Sequence, residues 1–326
     1  MSYRDVCRRD LTSVYRSRTG TAVTAIVALS TVVAVGLFAL AADVAALAGV
    51  GALLTVAALL ALVLLGSPKQ IAGVLVGFTA LAVALTLALS EPARGVRPSM
   101  SFAVVTIGSA LSFLLPLVAL VGSYAALVGE RETGSVRFLL GLPNSRDDAF
   151  LGKYLSRAAV VVVPLVVCLA LTGVVVALTF DGGSFLGIVG LAAVSVPYAL
   201  LFVGIGLTAS AYADNSNRAV AAVIAAFAVL RAGWPAFQFV LMQGVEDPFP
   251  RPEWYFWIGR LNPINAYVKL TTLFANVEGS HPLITTPYEP LASAAVGHPF
   301  AAVVLLGWTA LAPVAGVLYF RDRDLL

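Results

Sequence analysis

Charge is scarce in this chain. Asp, Glu, Lys and Arg make up 11% of its 326 residues, against about 25% in soluble domains. Cysteine is nearly absent: Cys7 and Cys168 form no CxxC and cannot build a disulfide framework. Only two histidines occur, His281 and His298, with no cysteine nearby. A metal site needs three or four converging ligands, so none is expected. The same scarcity leaves no Ser/His/Asp or Cys/His arrangement for nucleophilic catalysis, so the chain is not read as an enzyme. No basic run alternates with aromatics, which removes nucleic acid as a partner. No stretch alternates with a period of two, which removes a strand-built barrel.

Apolar residues are abundant. They fill 60% of the chain and raise its mean hydropathy to +0.95. A soluble fold of this size cannot hide so much apolar surface, so lipid must cover it. The first long apolar block lacks the short core and small-residue cleavage site of a signal peptide, and is expected to remain as an anchor. A spanning helix needs about 20 apolar residues. Eight candidate spans follow, at about 22–43, 47–66, 70–90, 102–128, 158–180, 184–211, 218–243 and 300–319. The fold class is all-α, a polytopic bundle. The connectors flanking 47–66 and 70–90 are very short, so this pair is either two spans or a re-entrant hairpin.

Lys and Arg set the expected orientation. With eight spans, both ends lie on one side, together with Arg4, Arg8, Arg9, Arg16, Arg18, Lys69, Arg131, Arg137, Arg146, Lys153, Arg157, Arg218, Arg321 and Arg323. The opposite side carries Arg94, Arg97, Arg251, Arg260 and Lys269. The excess places both termini in the cytoplasm of a multi-pass protein of the cell membrane. Residues 1–20 hold an amphipathic stretch: Tyr3, Val6, Cys7, Leu11, Val14 and Tyr15 follow helical spacing, with arginines around the rest. It reads as a helix on the cytoplasmic leaflet, its cations facing anionic lipid; the alternative is a solvated lead-in to the first span.

Between the membrane regions 21–129 and 158–243 runs "GERETGSVRFLLGLPNSRDDAFLGKYLSR", residues 129–157, with five of the 20 basic residues and four of the 17 acids. From Glu130 to Gly141 the pattern fits a short helix. Gly141-Leu142-Pro143 stops it. Ser145, with Asp148 three residues on, starts another in capping-box fashion, and Asp147 and Asp148 suit its positive end. Helix, corner, helix makes a stiff segment able to pass a push into two spans. Gly129 to Ser135 mimics part of a phosphate-binding loop, but the Lys and the preceding strand are missing, so no nucleotide is expected on this chain.

This stretch resembles the coupling segment of ABC-2 type transporter permeases, in the branch of the NosY-like copper-enzyme maturation permeases. The matching residues are Glu130, Arg131, Glu132, Thr133, Gly134, Leu142, Pro143, Ser145, Arg146, Gly152 and Lys153. The resemblance extends to "RRDLTSVYRSR", "PEWYFWIGRLNPINAY" and "LYFRDRDLL". It implies an N-terminal elbow helix, a cytoplasmic coupling helix in 130–157, six core spans and an external loop before the last span. It also implies a homodimer docked on separate ABC ATPase subunits that bind the ATP and Mg, with no cofactor on this chain. Residues 47–90 depart from that pattern as an additional apolar pair. With three methionines in all, nothing looks like a copper pathway.

Other residues stand out. Arg231 sits mid-span in "AAFAVLRAGWPAFQF", where a cation costs about 2.5–3.5 kcal/mol on insertion scales. Either it is functional, or the helix breaks at Gly233-Trp234-Pro235 and Arg231 snorkels or meets a carbonyl. In the external segment 244–299, a helix is expected from Glu253 and a break at Asn262-Pro263. Trp254, Tyr255 and Trp257 are expected at the membrane interface, as an aromatic belt or as a lid over an exit path. The last unit, 300–326, is a span and a cytoplasmic end. Two functions remain open: a permease of an ABC exporter, and a membrane anchor or assembly scaffold that transports nothing.

Overall fold

The computed structural model describes residues 3–16, 100–133, 145–179, 184–245, 251–274 and 297–322, and every regular element among them is helical. In chain order these are α1 (Tyr3–Arg16), α2 (Met100–Ser123), α3 (Val128–Glu132), α4 (Arg146–Thr179), α5 (Phe185–Tyr212), α6 (Ser216–Ala228), α7 (Trp234–Met242), α8 (Glu253–Leu261), α9 (Pro263–Thr272) and α10 (His298–Asp322). A π turn, Val229–Gly233, joins α6 to α7 without a break.

Five stretches are long and apolar enough to cross a membrane: Ile107–Glu132, Arg146–Val174, Phe185–Tyr212, Ser216–Met242 and His298–Arg321. They correspond to the five later expected spans. The expected spans at 22–43, 47–66 and 70–90 lie outside the described residues, as do Gly134, Leu142, Pro143 and the rest of the expected corner.

α5 is the centre of the bundle and packs on α2, α4 and α10. It is apolar on all sides, as a helix enclosed by neighbours must be; Leu191, Tyr198, Phe202 and Leu207 are fully buried. A small residue permits one close approach: a Cβ on Gly206 would stand 2.0 Å from the Ser123 Oγ of α2. Helix interiors keep Pro116, Pro164, Pro197 and Pro313. A side-chain hydroxyl also ties two of these helices together: Thr208 of α5 donates to the Ala312 carbonyl of α10, beside Pro313, at 2.8 Å.

Two elements differ from expectation. The apolar stripe of α1 does not rest on lipid alone: Val6 is buried beside Phe150 of α4, and α1 packs along that helix. Residues 253–272 form a helical hairpin that folds back into the bundle. The break falls at Asn262-Pro263, with Asn262 extended (ψ 123°) as a residue before proline must be and Pro263 at the first helical position. Tyr267 of α9 is fully buried and stacks on Tyr198, halfway along α5, at 4.0 Å between ring centroids.

Candidate functional site

The charged residues gather at the end of the bundle where α1, α3, the start of α4, the α5–α6 corner and the end of α10 meet. α4 begins as the sequence requires. The Asp148 backbone N–H donates to the Ser145 hydroxyl at 3.0 Å, and that hydroxyl donates to the Asp148 carboxylate at 2.6 Å. The helix then runs on without interruption into the span, from Arg146 to Thr179.

Two turns into α4 comes "GKYLSR". Gly152 is the contact point for α1: a Cβ there would lie 2.7 Å from the Val6 Cβ and 2.8 Å from the Tyr3 carbonyl oxygen. No larger residue fits. This close approach brings Asp10 over Lys153, Ser156 and Arg157. The Lys153 ammonium, 1% exposed, lies 3.0 Å from Asp10 and 2.8 Å from Glu130 of α3. Arg157 reaches the other Asp10 oxygen at 3.2 Å, and the Ser156 hydroxyl donates to the same oxygen. Two acids and two bases therefore balance in a nearly water-free pocket, which is how buried charge is tolerated. Burial pushes the Asp10 carboxyl up, but Lys153, Arg157 and the Ser156 hydroxyl more than offset this and hold it below the usual carboxylate range.

A second set of contacts ties α3 to the far side of the same end. The backbone N–H groups of Leu127 and Val128 both donate to the Ser210 hydroxyl at 3.0 Å. Arg131 donates to the carbonyls of Ala213 and Ala211, at 2.9 and 3.1 Å. These are the C-terminal carbonyls of α5, which have no partner within their own helix and favour a cation. Glu132 accepts from the Ser216 N–H at 2.7 Å and from its hydroxyl, at the positive end of α6. The last helix joins through Arg321, whose Nε donates to Asp147 at 2.6 Å and whose carbonyl accepts from Arg146 at 2.7 Å.

Of the residues singled out by sequence, Glu130, Arg131, Glu132, Thr133, Ser145, Arg146 and Lys153 thus come together at one end. Lys153 is buried, Glu130 and Arg131 are half-buried, and Glu132, Thr133 and Ser145 are exposed. Asp10, Ser156, Arg157, Ser210, Ser216 and Arg321 complete the network and were not foreseen. The signal for Asp10 was present: it lies four residues after Val6, so an acid interrupts the apolar stripe of α1.

Arg231 lies apart from this cluster, on the π turn, with its guanidinium carbon 3.2 Å from the centre of the Phe113 ring of α2. The helix does not break there; it widens by one residue just ahead of Pro235, which has no N–H to give the Arg231 carbonyl four residues back. Trp254 and Trp257 are partly exposed on α8, and Trp257 meets Phe300 edge-on at 4.7 Å. Tyr255 is half-buried, and its carbonyl accepts from Gln238 at 2.9 Å. Among the described residues no group of three His, Cys, Asp or Glu could hold a metal ion.

Residues 9–325 match the family model described as ABC-2 family transporter protein. A protein named probable ABC transporter permease protein NosY, from Stutzerimonas stutzeri, is 30% identical over 84 residues, covering 26% of this chain and 30% of that protein. A protein of the same name from Pseudomonas aeruginosa is 39% identical over 62 residues, covering 19% of this chain and 22% of its own length. Each aligned stretch spans less than a third of the curated relative it matches.

Proposed function

Because the chain belongs to the ABC-2 transporter family, we propose that it is the permease subunit of an ABC exporter, driven by a separate ATPase docked on its charged end. The ATPase binds ATP and Mg, and this chain binds neither. The charged end faces the cytoplasm, both termini lie there, and two copies of the chain form the membrane unit. The observation that carries this reading is the way the charged end is built. Lys153 joins α4 to α1 and α3 through two carboxylates. Glu132 and Arg131 join α3 to the α5–α6 corner. Arg321 joins α10 to α4. Force applied to the exposed residues around Thr133 and Ser145 therefore reaches all five spanning stretches through short polar contacts, with little slack to absorb it.

Side chains divide into two roles. Glu132, Thr133, Ser145 and Arg146 lie at the surface and meet the ATPase. Glu130 and Lys153 sit behind them and hold the N-terminal elbow helix to the coupling segment. The test is made on the full chain, purified with the ATP-hydrolysing subunit that co-purifies with it from native membranes. The double variant Glu130→Gln, Arg131→Ala is expected to retain that subunit while losing the stimulation of its ATP turnover by the permease. Undiminished stimulation overturns the coupling role. Failure of any ATP-hydrolysing subunit to co-purify with the wild-type chain overturns the docking reading altogether.

A further inference from the structure

The charge on Arg231 is the one feature of the described spans that the coupling network leaves unused. Arg231 lies 15 residues after Ser216 and 11 before Met242 in one spanning stretch. At 1.5 Å per residue that is about 22 Å from one end and about 16 Å from the other, well inside the stretch. Its polar neighbours have partners of their own and none of them carries a negative charge: the Tyr198 hydroxyl donates to the Ser112 carbonyl at 2.9 Å, Asn262 donates its amide to the Leu230 carbonyl at 2.6 Å, and Tyr267 pairs with Ser195 at 2.9 Å. Among the described residues no carboxylate forms an ion pair with Arg231. Its one contact of note is the face of Phe113, which holds a cation without neutralising it.

Two further observations point the same way. The spanning stretch that carries Arg231 is the least enclosed of the five by the rest of the protein. Arg231 itself is half-buried, next to Leu230 at the edge of the stripe formed by Ala219, Val223, Phe227 and Leu230. The helix is also widened into a π turn over these same five residues, a distortion that concentrates at functional positions.

We propose that Arg231, laid on the Phe113 ring, binds the carboxylate, sulfonate or phosphate of an amphiphilic organic anion that the permease carries. The guanidinium supplies the charge and a forked donor set suited to such an oxyanion. The apolar surroundings at that depth require the rest of the ligand to be apolar. This identification of the cargo class rests on the permease reading above.

The test uses the full-length chain in phosphatidylcholine nanodiscs, titrated with 1-pyrenebutyrate and with its neutral counterpart 1-pyrenebutanol. Binding is read by energy transfer from tryptophan. The wild type is expected to hold the carboxylate at least about tenfold more tightly than the alcohol. Arg231→Gln should abolish that preference while leaving alcohol binding unchanged, which also reports that the variant is folded. Arg231→Lys should keep part of the preference. Equal binding of the two probes by the wild type, or undiminished carboxylate binding by Arg231→Gln, overturns the proposal. Replacing some phosphatidylcholine by phosphatidylglycerol separates the two sources of anion: Arg231-dependent displacement of pyrenebutyrate identifies an anionic lipid headgroup, and its absence identifies a free amphiphile. No ATPase is present, so failure here leaves the coupling reading untouched, and loss of coupling leaves this titration unchanged.

Discussion

The charged end and the hairpin α8–α9 both fasten helices together, but with different chemistry. At the charged end the fastenings are ionic: Asp10, Glu130, Lys153 and Arg157 in one buried cluster, and Asp147 with Arg321 at the surface. In the hairpin they are donors on backbone carbonyls, neutral at Asn262 on Leu230, Trp234 on Ile258, Gln238 on Tyr255 and Trp308 on Leu261, and charged at the buried Arg260 on Asn265. A misplaced neutral group costs a modest amount when buried, whereas a misplaced charge costs several kcal/mol. The buried charges are tolerated because acids and bases balance within the one cluster of Asp10, Glu130, Lys153 and Arg157.

The contrast can be broken most severely at Lys153. Lys153→Met leaves Asp10 and Glu130 without their shared cation, and should cost about 3 kcal/mol or more. It should also free α1, seen as faster proteolysis within residues 3–16. The triple variant Asp10→Asn, Glu130→Gln, Lys153→Met should recover much of the loss; if it does not, the charges were not the reason. Gly152→Ala comes next, at about 1–3 kcal/mol, because the new methyl meets the backbone at Tyr3 as well as Val6. The same protease assay reads it. On the neutral side, Asn262→Ala removes both a helix cap and the bond to Leu230, with an expected loss of about 1–2 kcal/mol in thermal unfolding.

Acid sharpens the comparison more gently. Asp10 has a depressed carboxyl, so its contribution is complete above the unfolded value of about 3.9 and is lost as pH falls through the lower folded value. Release of α1 is therefore expected below about pH 4. Hydrogen exchange at α1 across that range checks it. Smallest of all, Arg218→Ala should change stability by about 0.5 kcal/mol or less, since its pair with Asp214 is well exposed.

Much of this was legible in the chain. The five later spans follow from apolar run length, the Ser145 cap from its spacing to Asp148, and the turn at Asn262 from the proline behind it. Those are local rules, and local rules survive folding. What escaped depended on which helices meet. Asp10 reads as one more polar residue until α1 is laid on Gly152, and nothing about Ser210 or Ser216 in isolation announces that α3 will lean on them. The hairpin escaped for a different reason. The helix from Glu253 and its break at Asn262-Pro263 are local, but their place inside the bundle depends on the stacking of Tyr267 on Tyr198.

The length of α4 has a mechanical consequence. Its 34 residues make a rod of about 51 Å, whereas the hydrocarbon layer is roughly 30 Å thick, so a good part of it stands clear of the bilayer. Pro164 lies near the midpoint, where the missing amide weakens the helix. A sideways nudge of about 3 Å at the tip, some 25 Å from that midpoint by helical rise, tilts the near arm by roughly 7°. Whether the far arm swings in the opposite direction or stays still is decided at one imino acid. Pro164→Ala makes the rod whole, so under the proposed coupling role a stroke delivered at one end should arrive at the other undiminished.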